Sequence, residues 1–116
     1  MTTGSSAHRA SAEADRADAP NRPDGLSERT VAEIRGCLEG FPRLRWVKLY
    51  GSRAMGGHRR GSDIDLAFSS ADDCSGALHA ALDALPTPYQ FDVTHWESLR
   101  HAPLREHIER VGVPFP

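Results

Sequence analysis

The segment Asp63-Ile64-Asp65-Leu66-Ala67-Phe68 alternates acidic or small side chains with large apolar ones, and this alternation narrows the choice of fold. Successive side chains of a β-strand point to opposite faces, so Ile64, Leu66 and Phe68 share one face and Asp63 and Asp65 the other. The apolar face requires a covering layer of helices or a second sheet. The acidic face has a different requirement. Two carboxylates on one side of a strand, roughly 6–7 Å apart by the strand rise, repel each other and raise one pKa unless a cation lies between them.

The remaining elements follow from local signals. Ser27 is placed to cap a helix whose Val31, Ile34 and Leu38 fall on one face, with Leu26 stapled in front and Gly40 as the stop. Arg45–Tyr50 has the β-branched and aromatic bias of a strand that ends abruptly at Gly51-Ser52. Residues 53–61 are too poor in apolar groups for more than a helical turn or two. A helix is expected over 71–85, broken by Pro86, then a strand over Gln90–Thr94. A last helix starts near Pro103 and stops at Gly112, and Val113–Phe115 adds a short edge strand, since Pro114 excludes a central position. The expected fold class is α/β (α+β): a small mixed sheet of three to four strands packed with helices.

Residues 1–25 contain no Val, Ile, Leu, Phe, Trp or Tyr, and a stretch without large apolar groups cannot offset the entropy of ordering. They are expected to form a disordered tail, leaving 26–116 as the folded domain. The chain's 116 residues favour one domain, and its net charge of −2 argues against an extended nucleic-acid surface. No apolar run spans a membrane, no signal-peptide pattern opens the sequence, and Cys37 and Cys74 have neither disulfide-framework nor zinc spacing. A cytoplasmic location is the expectation.

The chemistry concentrates between Tyr50 and Ala67. A strand that ends in Gly51-Ser52 and enters a helical turn presents backbone N–H groups and a hydroxyl to an anion. Arg53, His58, Arg59 and Arg60 add positive charge to the same loop. Asp63 and Asp65 supply only oxygen donors, which suits a hard ion such as Mg²⁺ or Mn²⁺. A phosphate chain gripped at Gly51-Ser52 and at metal-bearing carboxylates matches the two-metal scheme of phosphoryl transfer, which calls for a third acid. Asp92, between Phe91 and Val93 in the next strand, is the candidate.

Gly51-Ser52, ten residues, then Asp63-x-Asp65 resembles the Gly-Ser-x10-Asp-x-Asp signature of the DNA polymerase β-like nucleotidyltransferase superfamily. The string GSRAMGGHRRGSDIDLA and the ending SLRHAPLREHIERVGVPF are similar to its minimal nucleotidyltransferase (MNT) branch. The resemblance implies the nucleotidyltransferase fold, two Mg²⁺ ions (Mn²⁺ as substitute) and ATP as substrate. It implies catalytic and metal-binding roles for Asp63, Asp65 and Asp92, and nucleotide contacts from Gly51, Ser52, Arg53, Arg59 and Ser62. His95 stands where a second acid sometimes follows the third carboxylate, which leaves the base for the acceptor hydroxyl open.

MNT proteins of this length resemble the antitoxin half of HEPN–MNT pairs, in which AMP is transferred from ATP to a tyrosine of the HEPN ribonuclease. The resemblance therefore implies a HEPN-type toxin as partner, a nucleoside triphosphate as substrate and a hetero-oligomeric assembly. Two alternatives stand beside it: a small-molecule nucleotidyltransferase of the antibiotic-modifying type, and a non-catalytic antitoxin that masks its toxin by binding.

Overall fold

The computed structural model describes residues 22–57 and 61–115. Helix α1 (Glu28–Glu39) begins at the expected cap, where the Ser27 hydroxyl accepts from the Thr30 N–H at 3.0 Å and Leu26 is fully buried. The chain continues as β1 (Trp46–Tyr50), the one-turn α2 (Ser52–Met55), β2 (Ile64–Ser69), α3 (Ser75–Asp83) and β3 (Phe91–His95). A 3-10 turn (Trp96–Ser98), α4 (Ala102–Val111) and β4 (Val113–Pro114) complete it.

Helix α3 is shorter at both ends than the expected 71–85. The Asp73 carboxylate accepts the Ser75 N–H at 2.9 Å and so marks a turn before the helix. At the other end Leu85 precedes a proline, where the helical conformation is sterically disfavoured. The 3-10 turn at Trp96–Ser98 was not foreseen from the sequence, because three residues carry no periodicity.

The strand order is β3-β2-β1-β4. β1 pairs antiparallel with β2 and β4, while β2 and β3 run parallel, so the sheet is mixed as expected. One face presents Leu49, Ile64, Leu66, Phe68 and Phe91 to α1 and α3, which contribute Val31, Ile34, Leu78 and Leu82. The opposite face carries Tyr50 and Ala67 beneath Ile108 of α4, with Trp46, Trp96, Leu99 and Leu104 packed around them. Asp65 and Asp92 emerge on this second face, beyond the cover of α4.

Composition places residues 22–25 in the tail, yet they are packed. The Gly25 N–H donates to the Arg22 carbonyl at 3.0 Å, closing a turn, and Arg22 forks onto the Asp24 carboxylate at 2.9–3.1 Å. Asp24 is buried and also accepts the Leu26 N–H. The missed signal is the order Arg-Pro-Asp-Gly, a turn composition that acts without any large apolar group. Among the described residues no helix is long and apolar enough to cross a membrane.

Candidate active site

The site is assembled by strand register. Tyr50 lies opposite Asp65 across the antiparallel pair, and Asp65 lies opposite Asp92 across the parallel pair. Directly paired residues share a face, so the three form a row across strands about 4.8 Å apart. Asp63 stands two positions before Asp65, on the approach to β2. Asp63 and Asp92 are exposed, whereas Asp65 is half-buried. Burial, and then the charges of Asp92 and Asp63, push the Asp65 carboxyl up to about 6, against the opposing pull of Arg53. This is the electrostatic signature of a place that a cation would relieve.

The row is open. No group of three or more His, Cys, Asp or Glu side chains among the described residues is drawn together closely enough to cage an ion. Mg²⁺ seldom uses an all-protein cage; one or two carboxylates hold it, and water and substrate phosphates fill the other positions. The oxygen-only donors fit such an ion.

Gly51 brings the Gly51–Met55 turn onto this row. Its φ of +75° lies in the region that favours glycine, and a β-carbon at this position would collide with the Asp65 carboxylate. The Gly51 carbonyl then accepts from the N–H groups of Ala54 and Met55, both at 3.1 Å, which winds Ser52–Met55 into α2. Ser52 is its first residue, so the leading N–H groups of the helix follow directly on the glycine seated against Asp65.

Arg53 has a different setting from the phosphate contact expected of it. It is 2% exposed. Its Nε and Nη2 donate to the Ser62 carbonyl at 3.2 and 3.0 Å, its Nη1 donates to the Asp24 carbonyl at 2.9 Å, and the guanidinium lies 4.8 Å over the Tyr89 ring. Ser62 enters the site through the main chain that Arg53 grips. Arg59, with His58 and Arg60, lies outside the described residues.

Two groups were placed by structure rather than sequence. The Tyr50 hydroxyl bonds to that of Thr94 at 3.1 Å, and His107 meets the Tyr50 ring edge-on at 6.0 Å. Tyr50 thus flanks Asp65 in the row, with His107 of α4 packed against its ring. His95 is buried on the opposite face against Phe68, with Nδ1 2.6 Å from the Ser98 hydroxyl and Nε2 2.7 Å from the Ser70 carbonyl. Alternation along β3 turns it away from Asp92. A groove of about 420 Å³ runs between the start of α1 and Pro86–Tyr89, and none of the three acids lines it. The acid row lies at the open end of the sheet instead.

No curated protein sequence matches the chain. A crystal structure of a toxin–antitoxin with AMP-PNP is similar over 74% of this chain and 72% of that one, at 26% identity and a TM-score of 0.58. The toxin–antitoxin MntA–HepT shares the fold over 78% and 72% of the two chains, at 21% identity and TM-score 0.58. So does the complex of tri-AMPylated Shewanella oneidensis HEPN toxin with MNT antitoxin, at 22% identity, 77% and 71% coverage and TM-score 0.52. The profile of the family "Polymerase beta, Nucleotidyltransferase" matches residues 32–114, a span that takes in the Gly51–Met55 turn and the acid row, and the chain belongs to that family of nucleotidyltransferases.

Proposed function

We propose that this protein transfers AMP from ATP to a tyrosine hydroxyl of a HEPN-type toxin and so silences it. The observation that carries the reading is the seating of Gly51 directly on the Asp65 carboxylate, within a row of acids where burial and mutual charge raise the Asp65 pKa; this supports a phosphate turn beside a metal-binding row. Support for the nucleotide comes from the family and from the 26% identical relative solved with AMP-PNP. Support for the acceptor comes from the resemblance to the MNT branch and from HEPN toxins in complexes of the same fold.

In this reading Ser52 and the first N–H groups of α2 hold the terminal phosphates. Asp63, Asp65 and Asp92 hold two Mg²⁺ ions, for which Mn²⁺ substitutes. When bound, such ions would supply charge neutralisation at the phosphates. The acceptor oxygen forms a bond to the α-phosphorus, the bond to the bridging oxygen breaks, and pyrophosphate leaves with that electron pair. Asp92, exposed at the end of the row, accepts the hydrogen bond of the acceptor hydroxyl and passes its proton to water. Positioning and electrostatics account for nearly all of such catalysis.

Labelled ATP, Mg²⁺ and a HEPN-type toxin provide the test. Label on the toxin, absent with Asp63→Asn/Asp65→Asn, is the expected result. A double variant that neutralises the toxin as well as the wild type would overturn the reading in favour of masking by binding. Transfer to an aminoglycoside and none to the toxin would overturn it in favour of a small-molecule transferase.

A further inference from the structure

We infer that Arg53 is a positioning strut which, with the Arg22–Gly25 turn it grips, fixes the phosphate turn relative to the metal-binding acids. This rests on the nucleotidyl-transfer reading, because it needs a phosphate site and a metal site to hold in register. Arg53 follows Gly51 by two residues, and its fork closes on the carbonyl of Ser62, the residue directly before Asp63. Arg53 thereby joins the start of α2 directly to the residue that leads into β2. The third guanidinium nitrogen reaches the Asp24 carbonyl, and the cation lies over Tyr89, three residues before Asp92. One buried side chain therefore ties together the lead-in to each of the elements that carry the site. The turn at its far end is itself braced by the Arg22–Asp24 pair.

A phosphate ligand and a strut respond differently to Arg53→Lys. Lysine keeps the charge and binds phosphate as a point charge. The strut needs a planar fork with donors in fixed directions, which a single ammonium lacks. Charge is thus separable from geometry.

The test uses the full chain and measures Mn²⁺ affinity with and without AMP-PNP by calorimetry. In the wild type, bound nucleotide tightens Mn²⁺ by about tenfold or more, the usual size of coupling between adjacent sites. Arg53→Lys and Arg53→Met each bind Mn²⁺ alone, and AMP-PNP alone, within about threefold of wild type, yet the coupling falls below about threefold. In the transfer assay kcat drops on the order of 10²-fold while the nucleotide KM moves little, as expected of misplacement rather than lost binding. Full recovery of coupling and kcat in Arg53→Lys would overturn the inference, as would a wild type without coupling. Should both Arg53 variants unfold, Asp24→Asn loosens the turn from the far side. It is expected to weaken the coupling while leaving each separate affinity intact, and unchanged coupling would overturn the strut. Coupling that is present in wild type and lost in Arg53→Lys, without label on any HEPN protein, would fail the acceptor assignment and leave the strut standing.

Discussion

The Tyr50 hydroxyl meets the Thr94 hydroxyl at 3.1 Å, although the two residues lie on strands separated by β2. The phenol crosses over Ala67, whose side chain is small enough to let a ring pass, and α4 closes above it through Ile108 and His107. Tyr50 is buried, and burial raises its hydroxyl pKa, with the Thr94 bond opposing and the charges of Asp92 and Asp65 adding to the rise. The hydroxyl therefore stays protonated and is a neutral neighbour to the acid row.

Replacing that hydroxyl tests the bond. Tyr50→Phe keeps the ring and removes the bond, so unfolding in urea should lose about 0.5–1.5 kcal/mol without a change in the denaturant slope. The ring still flanks the row, and transfer activity should fall by less than about tenfold, equivalent to 1.4 kcal/mol or less. A midpoint identical to wild type would show that the bond contributes nothing.

Asp65 gives the metal-free protein a pH dependence of known sign. Its folded-state pKa, about 6, lies above the ordinary 3.8, so the folded state binds the proton more tightly than the unfolded chain. The stabilising effect of that proton is full below pH 3.8 and is lost as pH rises through about 6. With a chelator present, the melting temperature of Asp65→Asn minus that of wild type should therefore increase from pH 4 to pH 7. Mg²⁺ should narrow the difference at pH 7, since it replaces the proton as the neutralising charge. A pH-independent difference would remove the electrostatic case for a cation at the row.

Gly51 is constrained twice, by its positive φ and by the nearness of Asp65. Gly51→Ala should cost about 1–3 kcal/mol and abolish transfer. Only the collision depends on Asp65. In an Asp65→Ala background the same change should therefore cost less, with a coupling energy of at least about 0.5 kcal/mol in the double-mutant cycle. Additive losses would separate the turn from the carboxylate.

These residues also mark how far the sequence could be read. The helix cap at Ser27, the strand carrying Ile64, Leu66 and Phe68, and the stop at Gly112 were legible because each is set by neighbours within a turn or by strict alternation. Asp92 was legible as the third acid the two-metal scheme calls for, between apolar neighbours in the next strand, but the parallel pairing that sets it beside Asp65 joins strands separated by a whole helix. Arg53 read as a loop charge because its partners, the carbonyls of Asp24 and Ser62, are main-chain atoms with no sequence signature. The same limit applies to His107, whose meeting with Tyr50 is set by how α4 lies on the sheet.

His95 provides the last discrimination, between a base for the acceptor hydroxyl and a member of the core. It is three residues from Asp92, and the sequence leaves the first role open. The fold turns the ring to the opposite face, where both nitrogens are engaged by Ser98 and the Ser70 carbonyl and Glu97 lies 3.3 Å away. His95→Gln loses at least one of these bonds in a buried setting and should destabilise the protein by about 1–3 kcal/mol. Assayed well below its melting temperature, the variant should keep kcat within about threefold of wild type, a difference under 1 kcal/mol, with an unshifted pH–rate profile. An Asp92→Asn protein should show the reverse: near-normal stability, because Asp92 is exposed, and a severe loss of transfer. If His95→Gln instead lost kcat and the acid limb of its profile, the proton would have to leave through the core face, and Asp92 would be reduced to a metal ligand.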